Sequence, residues 1–263
     1  MSTNTKGSFY INKQNIGRTV YWHPWEGCVK VSEACKYCWA SNSGSIKFNG
    51  YRTDWLHKIS SGTVVLVTLK SDFFYPPADI YRHEAWKIIK EFSNLIFLII
   101  TKYPERIKEH LPNDWGDGYN NVILSVTAEN TKRAIDRLNV FRTIPARHKW
   151  VSVSPILEDI NLSNFLAENW LECVEVLGER SFSKKVTLEQ IRECRYEWIK
   201  SLSEQCKKHN TRFSFLGAGH KFVYNNQIFT DISSCYHSKF ADDFNLDIIK
   251  PIVFKLRDGD KII

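Results

Sequence analysis

A chain of 263 residues, 43% of them hydrophobic, can bury a sizeable core as one large α/β domain or two small ones, which excludes a disordered or fibrous protein. Its formal net charge of +7 is spread along the chain, so nucleic acid is permitted as a partner but a solvated basic surface explains the charge equally well. No run reaches the roughly 18 apolar residues of a membrane span, and the opening MSTNTKGSFYINKQ lacks the apolar segment of a secretion signal; the expectation is a cytoplasmic protein with no membrane partner.

In chain order, TVYWHP at 19–24 reads as a first strand. The apolar, β-branched runs TVVLVTL (63–69), NLIFLIIT (94–101), NVILSVT (121–127), KWVSVS (149–154), CVEVL (173–177) and RFSFL (212–216) read as buried parallel strands. Amphipathic segments of helical length lie between them, at 80–92, 131–143 and 196–209. Alternating strands and helices predict an α/β fold. Of the two ways to arrange such units we expect a partial (β/α) barrel of about six to seven parallel strands over 1–220. The tail at 221–263 lacks this rhythm and is expected to form a hairpin plus an appendage, a C-terminal extension packed on the barrel.

Polar, glycine and charged residues gather after the strands, in KSDFF, KYPER, AENT, PIL, GER and GAGH. Turns account for part of this. Lysine, aspartate and glutamate set right at strand ends fit better with a ligand site, because in barrels and open α/β sheets alike the carboxyl ends of the strands are where ligands sit.

The loop after the first strand, WHPWEGCVKVSEACKYCWA, carries Cys28, Cys35 and Cys38 in a C-x6-C-x2-C spacing. Seven cysteines in a reducing compartment point to metal or redox chemistry rather than disulfides. Three readings of the loop stand side by side. A Cys3His zinc site would take His23 as its fourth ligand. The three could be small buried residues, although three thiols within eleven positions rarely cluster by chance. A [4Fe-4S] cluster held by three thiolates would leave one iron open to an outside ligand.

Here the sequence resembles known families. Tyr37, just before the last cysteine, is similar to the aromatic residue in cluster loops of radical S-adenosylmethionine (radical SAM) enzymes, whose commonest spacing, C-x3-C-x2-C, is shorter. The loop also resembles that of a phage and bacterial family named only as a domain of unknown function, W-N-P-x-x-G-C-x-K-x-S-x-x-C-x-x-C-Y. Its members are similar to radical SAM enzymes. The likeness extends through SDFF, ITKYPER, LPNDWGDGYNNV, TAENTKRAIDRL, SPILEDINL, RECRYEWI and GAGHKF.

The resemblance implies an enzyme in which Cys28, Cys35 and Cys38 hold a [4Fe-4S] cluster. S-adenosylmethionine bound to the open iron would be cleaved to a 5′-deoxyadenosyl radical that takes hydrogen from a substrate. Likeness to radical SAM lyases that repair thymine photoproducts in spore DNA implies further roles. Ser71 and Asp72 would lie near the methionine amino group, Lys102 would pair with its carboxylate, and Ser125 and Glu129 would lie near the ribose hydroxyls. Plainer roles exist: Asp72 as a helix cap, Lys102 solvated, and Glu129 favoured by the dipole of a first helical turn. Glu179, Arg192 and Cys194 fall at the barrel mouth and are the catalytic candidates.

Ser154, Leu177-Gly178 and Leu216-Gly217 depart from the relatives' pattern, so the cofactor half is kept while the substrate half is altered. The substrate expected is nucleic acid or a nucleotide, for repair or modification, with an electron donor such as flavodoxin or ferredoxin as partner. The alternatives are a peptide or small-molecule radical SAM enzyme, and a non-catalytic zinc or nucleic-acid-binding module on the same fold. Cys173 and Cys206 are expected to pack, the role of Cys235 is left open, and Trp22, Trp25, Trp39 and Trp115 are expected to fill the core or shield a cluster.

Overall fold

The protein is described from a computed structural model covering residues 19–38, 40, 44–181, 185–230 and 243–263; Trp39 and Cys235 lie outside the described residues. Its main sheet has seven strands: β1 (Thr19–Trp22), β2 (Val64–Val67), β3 (Ile96–Thr101), β4 (Val122–Thr127), β5 (His148–Val153), β6 (Cys173–Leu177) and β7 (Arg212–Gly217). Each pairs in parallel with its neighbour in sequence. The spatial order is therefore the chain order. A doubly wound sheet would reverse direction at a switch point; an unreversed order is that of a barrel. β1 and β7 end the order without pairing to each other, so the barrel is open, as expected.

Alternation along each strand splits the core in two. Val65, Val67, Phe97, Ile99, Leu124, Val151, Val174 and Phe213 face outward, into one cluster with Ala85, Ile89, Leu138, Ile199 and Leu202 of the covering helices. Val64, Leu66, Ile96, Leu98, Ile123, Trp150 and Cys173 face inward and fill the lumen. Burial on both faces is why these strands read as continuous apolar runs.

The helices follow from local signals. α1 (Asp79–Glu91) starts after Pro76-Pro77, which cannot donate the backbone bonds that a helix start leaves unused. Two short helices, α2 (Pro104–Ile107) and α4 (Ser163–Ala167), were not legible as helices in the pattern. α3 (Thr131–Phe141) is capped by Asn130, whose side chain accepts from the Arg133 amide at 2.8 Å. α5 (Tyr196–Lys208) buries Ile199, Leu202 and Cys206, so Cys206 packs as expected.

The described part of the tail holds two hairpins. In the first, Lys221–Tyr224 pairs antiparallel with Gln227–Thr230 and in parallel with Cys194–Arg195. The chain then bridges to β7 through reciprocal Phe213 and Ile248 backbone bonds of 3.2 and 3.0 Å. The second hairpin, Val253–Leu256 with Gly259–Ile262, adds Ile252, Phe254 and Leu256 to the lumen cluster. Phe254 lies 4.1 Å from the His148 ring, at the start of β5. This hairpin is thus the floor of the lumen, at the end opposite the cysteine loop. Among the described residues no helix is long and apolar enough to cross a membrane.

Candidate functional site

At the carboxyl ends of the strands lies a cavity of about 490 Å³. That volume falls within the range of small-molecule pockets. Its wall includes Cys28, Cys35, Cys38, His23, Ser71, Asp72, Lys102 and Glu179, so residues from the cysteine loop and from four strand ends share one space.

The cysteine loop is an excursion with a closed neck. Trp25 and Glu26 pair antiparallel with Phe48 and Lys47. Gly27 sits at φ +107°, and a side chain there would put its Cβ 1.9 Å from the Ser45 carbonyl oxygen, so only glycine closes the neck. The loop is also fixed to the end of β2. The Gly27 amide donates to Lys70 O at 3.1 Å, the Ser71 hydroxyl to Gly27 O at 2.5 Å, and Lys70 Nζ to Glu26 at 3.0 Å. Within the loop Glu33–Cys35 forms one 3-10 turn that buries Cys35, while Cys28 and Cys38 are half-buried. Burial, then the charges of Asp72 and Cys35, push the Cys28 thiol up to about 12. Among the described residues no group of three or more His, Cys, Asp and Glu is poised to hold a metal ion. The three sulfurs line one cavity without being gathered to ligating distances.

Asp72 is fully hydrogen-bonded. Its carboxylate accepts from the Phe74 amide at 2.9 Å, the Thr101 hydroxyl at 2.7 Å and the Lys102 amide at 2.8 Å, pinning the ends of β2 and β3 together. Burial raises its pKa against these three donors. Lys102, by contrast, carries an ammonium with no hydrogen-bond or ion-pair partner among the described residues, in the same cavity. A half-buried cation without a partner is an anion site in waiting. Thr68, at the end of β2, holds φ +54°, and its Oγ1 is buried without a partner. A β-branched residue in that region is strained, and such strain clusters at ligand sites.

The other expected residues separate into two groups. Glu179, Arg192 and Tyr37 come together: Glu179 accepts from the Arg192 amide and Nε, each at 2.9 Å, and Arg192 stacks 5.6 Å over the Tyr37 ring. Cys194, Ser125 and Glu129 do not reach the cavity wall. Cys194 is buried behind Gly178, with burial raising its thiol pKa far above the usual range. Glu129 is sealed from solvent and paired with Arg137 at 2.7 Å, its other oxygen lacking a partner. Ser125 lies deeper in the lumen, also without a partner. His23 lines the cavity with an unpartnered Nδ1, and burial followed by the Lys70 charge lowers its pKa to about 4. Sequence reasoning missed Glu175, although its signal was present: one carboxylate inside the apolar run CVEVL, at a lumen-facing position.

The fold and the cavity together define an open, singly wound (β/α) half-barrel with a thiol-bearing loop over its mouth. Residues 16–232 match the family described as "Protein of unknown function (DUF5131)", most of the chain, and the protein belongs to that family. No curated protein and no solved structure matches it at a significant level.

Proposed function

We propose that the protein is a radical SAM enzyme acting in the cytoplasm, with nucleic acid or a nucleotide as its substrate class. The observation that carries this reading is the meeting, in one cavity, of three cysteines from a single loop and the unpartnered ammonium of Lys102. The donor set suits the cofactors in kind and number, although the three sulfurs are not gathered to ligating distances. Three thiols are the ligand count that leaves one iron of a [4Fe-4S] cluster exposed, and Lys102 offers a point charge to a methionine carboxylate. The group supplies, when bound, an electron for reductive cleavage of S-adenosylmethionine.

The chain's own residues have defined parts. Cys28, Cys35 and Cys38 would be the ligands, losing their protons on binding. Asp72 holds the ends of β2 and β3 in register, so that Ser71 and Lys102 face the cavity from adjacent strands. Glu179 and Arg192 fasten the loop to β6, and the half-buried wall limits water. Nucleic acid as substrate draws support from the net charge of +7.

His23 gives a second reading specific support: its unpartnered Nδ1 faces the same cavity, as the fourth ligand of a Cys3His zinc site would. Metal and sulfide analysis after anaerobic purification separates the two. The enzyme reading expects iron with sulfide, and 5′-deoxyadenosine on addition of S-adenosylmethionine and dithionite, lost in Cys35→Ala. Zinc without sulfide, or a cluster that never cleaves the cofactor, sinks it.

A further inference from the structure

Beneath the cavity the lumen carries a second polar layer that the cysteine chemistry does not use. The strand register sets Thr127 opposite Ser152, Ser152 opposite Glu175, and Glu175 opposite Ser214. Strands in a sheet lie about 4.8 Å apart, so four polar side chains on β4 to β7 form one row on the inner face. Barrel interiors are ordinarily filled by branched apolar residues.

This row is not satisfied from within. In the row the Ser214 hydroxyl, and in the layer below it the Ser125 hydroxyl and the Trp150 indole nitrogen, are fully buried without a hydrogen-bond partner. Glu175 is 3% exposed and makes no hydrogen bond among the described residues. Each unsatisfied buried polar group costs stability, and apolar residues would remove the cost. Thr127 and Ser152 line the cavity, and Glu175 and Ser214 continue the row behind its wall.

We propose that this layer, centred on Glu175, recognises a planar nitrogen heterocycle that presents a hydrogen-bond donor beside an acceptor, as nucleobases do. A neutral carboxyl matches such an edge in two bonds: with cytosine or adenine its O–H donates to the ring nitrogen and its carbonyl oxygen accepts from the amino group. With the proton on its other oxygen it meets the imide edge of uracil, whose order is the reverse. Burial, opposed by the Arg212 charge, raises the Glu175 pKa to about 7, which keeps a large neutral fraction near neutrality. The charged and titratable groups facing it are Arg212 from β7 and Cys173 from its own strand, while β5 presents Ser152 and Trp150.

The inference rests on the cavity being a substrate pocket, as proposed above, but its test needs no metal. Binding of cytidine, adenosine and uridine to cluster-free protein is measured by calorimetry from pH 6 to 8. A cytidine-containing pentanucleotide is the second arm, and separates a free base derivative from one carried on nucleic acid. At least one of the nucleosides, or the pentanucleotide, is expected to bind, and to weaken as pH rises through about 7. Glu175→Leu should lose at least tenfold in affinity. Glu175→Gln, whose amide keeps the donor and acceptor pair, should bind with a flat pH profile. Thermal melts identify a variant that fails to fold, and the Gln variant then decides. Binding of none of the probes, or an unaltered pH profile in Glu175→Gln, overturns the proposal. A cluster-loaded, cofactor-cleaving protein that ignores these nucleosides overturns this inference alone; a protein that binds them but takes up no iron and sulfide on reconstitution overturns the enzyme reading alone.

Discussion

Arg192 grips Glu179 along the length of its guanidinium and is held at both ends: its Nε donates to the carboxylate at 2.9 Å, and its Nη1 donates to Glu33 O of the cysteine loop at 2.9 Å. One side chain thereby ties the end of β6 to the loop that carries the thiols, and it does so from outside the cavity wall. This makes Arg192 a positioning residue. Glu179 is 3% exposed, so removing its partner strands a buried charge. Arg192→Ala is expected to cost about 3 kcal/mol in urea unfolding at pH 7. A cycle with Glu179→Ala should show at least about 1 kcal/mol of coupling; additive losses would show that the two act independently.

Lys102 has the opposite character, since its ammonium makes no hydrogen bond or ion pair among the described residues and reaches Asp72 and Cys28 through its charge alone. Lys102→Ala should leave the unfolding midpoint within about 0.5 kcal/mol of the parent. If it meets the carboxylate of S-adenosylmethionine, the variant loses about 1.5–3 kcal/mol of binding, or roughly 10- to 150-fold in Kd. Equilibrium dialysis with the reconstituted protein reads this directly, and an unchanged Kd removes Lys102 from the cofactor site.

Gly178 marks where β6 and β7 touch beyond their ends. Its amide donates to Gly217 O at 2.8 Å, and a Cβ on it would lie 2.1 Å from Ala218 O and 2.8 Å from Cys194 Cβ. Backbone cannot yield as a flexible side chain can. Gly178→Ala should therefore destabilise by about 3 kcal/mol, at the upper end of ordinary overpacking, whereas Ala at Cys194 should cost less. Equal effects in thermal melts would mean that the contact relaxes.

Much of this architecture is legible along the chain because parallel strands buried on both faces write themselves as unbroken apolar runs. All seven strands and the three long helices fall where those runs and periodicities place them. The short helices at 104–107 and 163–167 are too brief to show a period. The gathering of polar residues at one end of the sheet was equally readable. What could not be read was pairing. Asp72 looks like a cap and is a clasp between two strands; Glu179 and Arg192 look like reactive groups and hold each other. These are contacts across 13 to 30 positions, set by the curl of the sheet. The role of the last hairpin was hidden for the same reason, since its exposed and buried residues alternate like any edge strand.

That hairpin offers a direct comparison. Phe254 is fully buried against His148, while Val253 beside it is 47% exposed. Phe254→Ala should cost about 3–5 kcal/mol, the usual penalty for emptying an aromatic site in a core, and Val253→Ala less than about 0.5 kcal/mol. If chemical denaturation finds both variants near the parent, the hairpin is not the floor of the lumen but an appendage resting on it.

Glu175 also leaves a mark on stability. An acid whose pKa is higher folded than unfolded contributes stability that is fully present below its unfolded value of 4.5 and is lost as pH rises through about 7. His23 works in the contrary sense. Its imidazole is a base depressed from 6.5 to about 4, so its contribution grows as pH rises through that window. Because the two overlap, the parent's pH profile alone is ambiguous, and the difference between parent and Glu175→Gln in metal-free protein isolates one of them. Relative to the variant, the parent should lose stability between pH 4.5 and 7, by up to about 3 kcal/mol, since each tenfold change in proton affinity between the folded and unfolded chain is worth about 1.4 kcal/mol. A difference that stays constant across that interval would mean that Glu175 is ionised in the fold and finds a partner there.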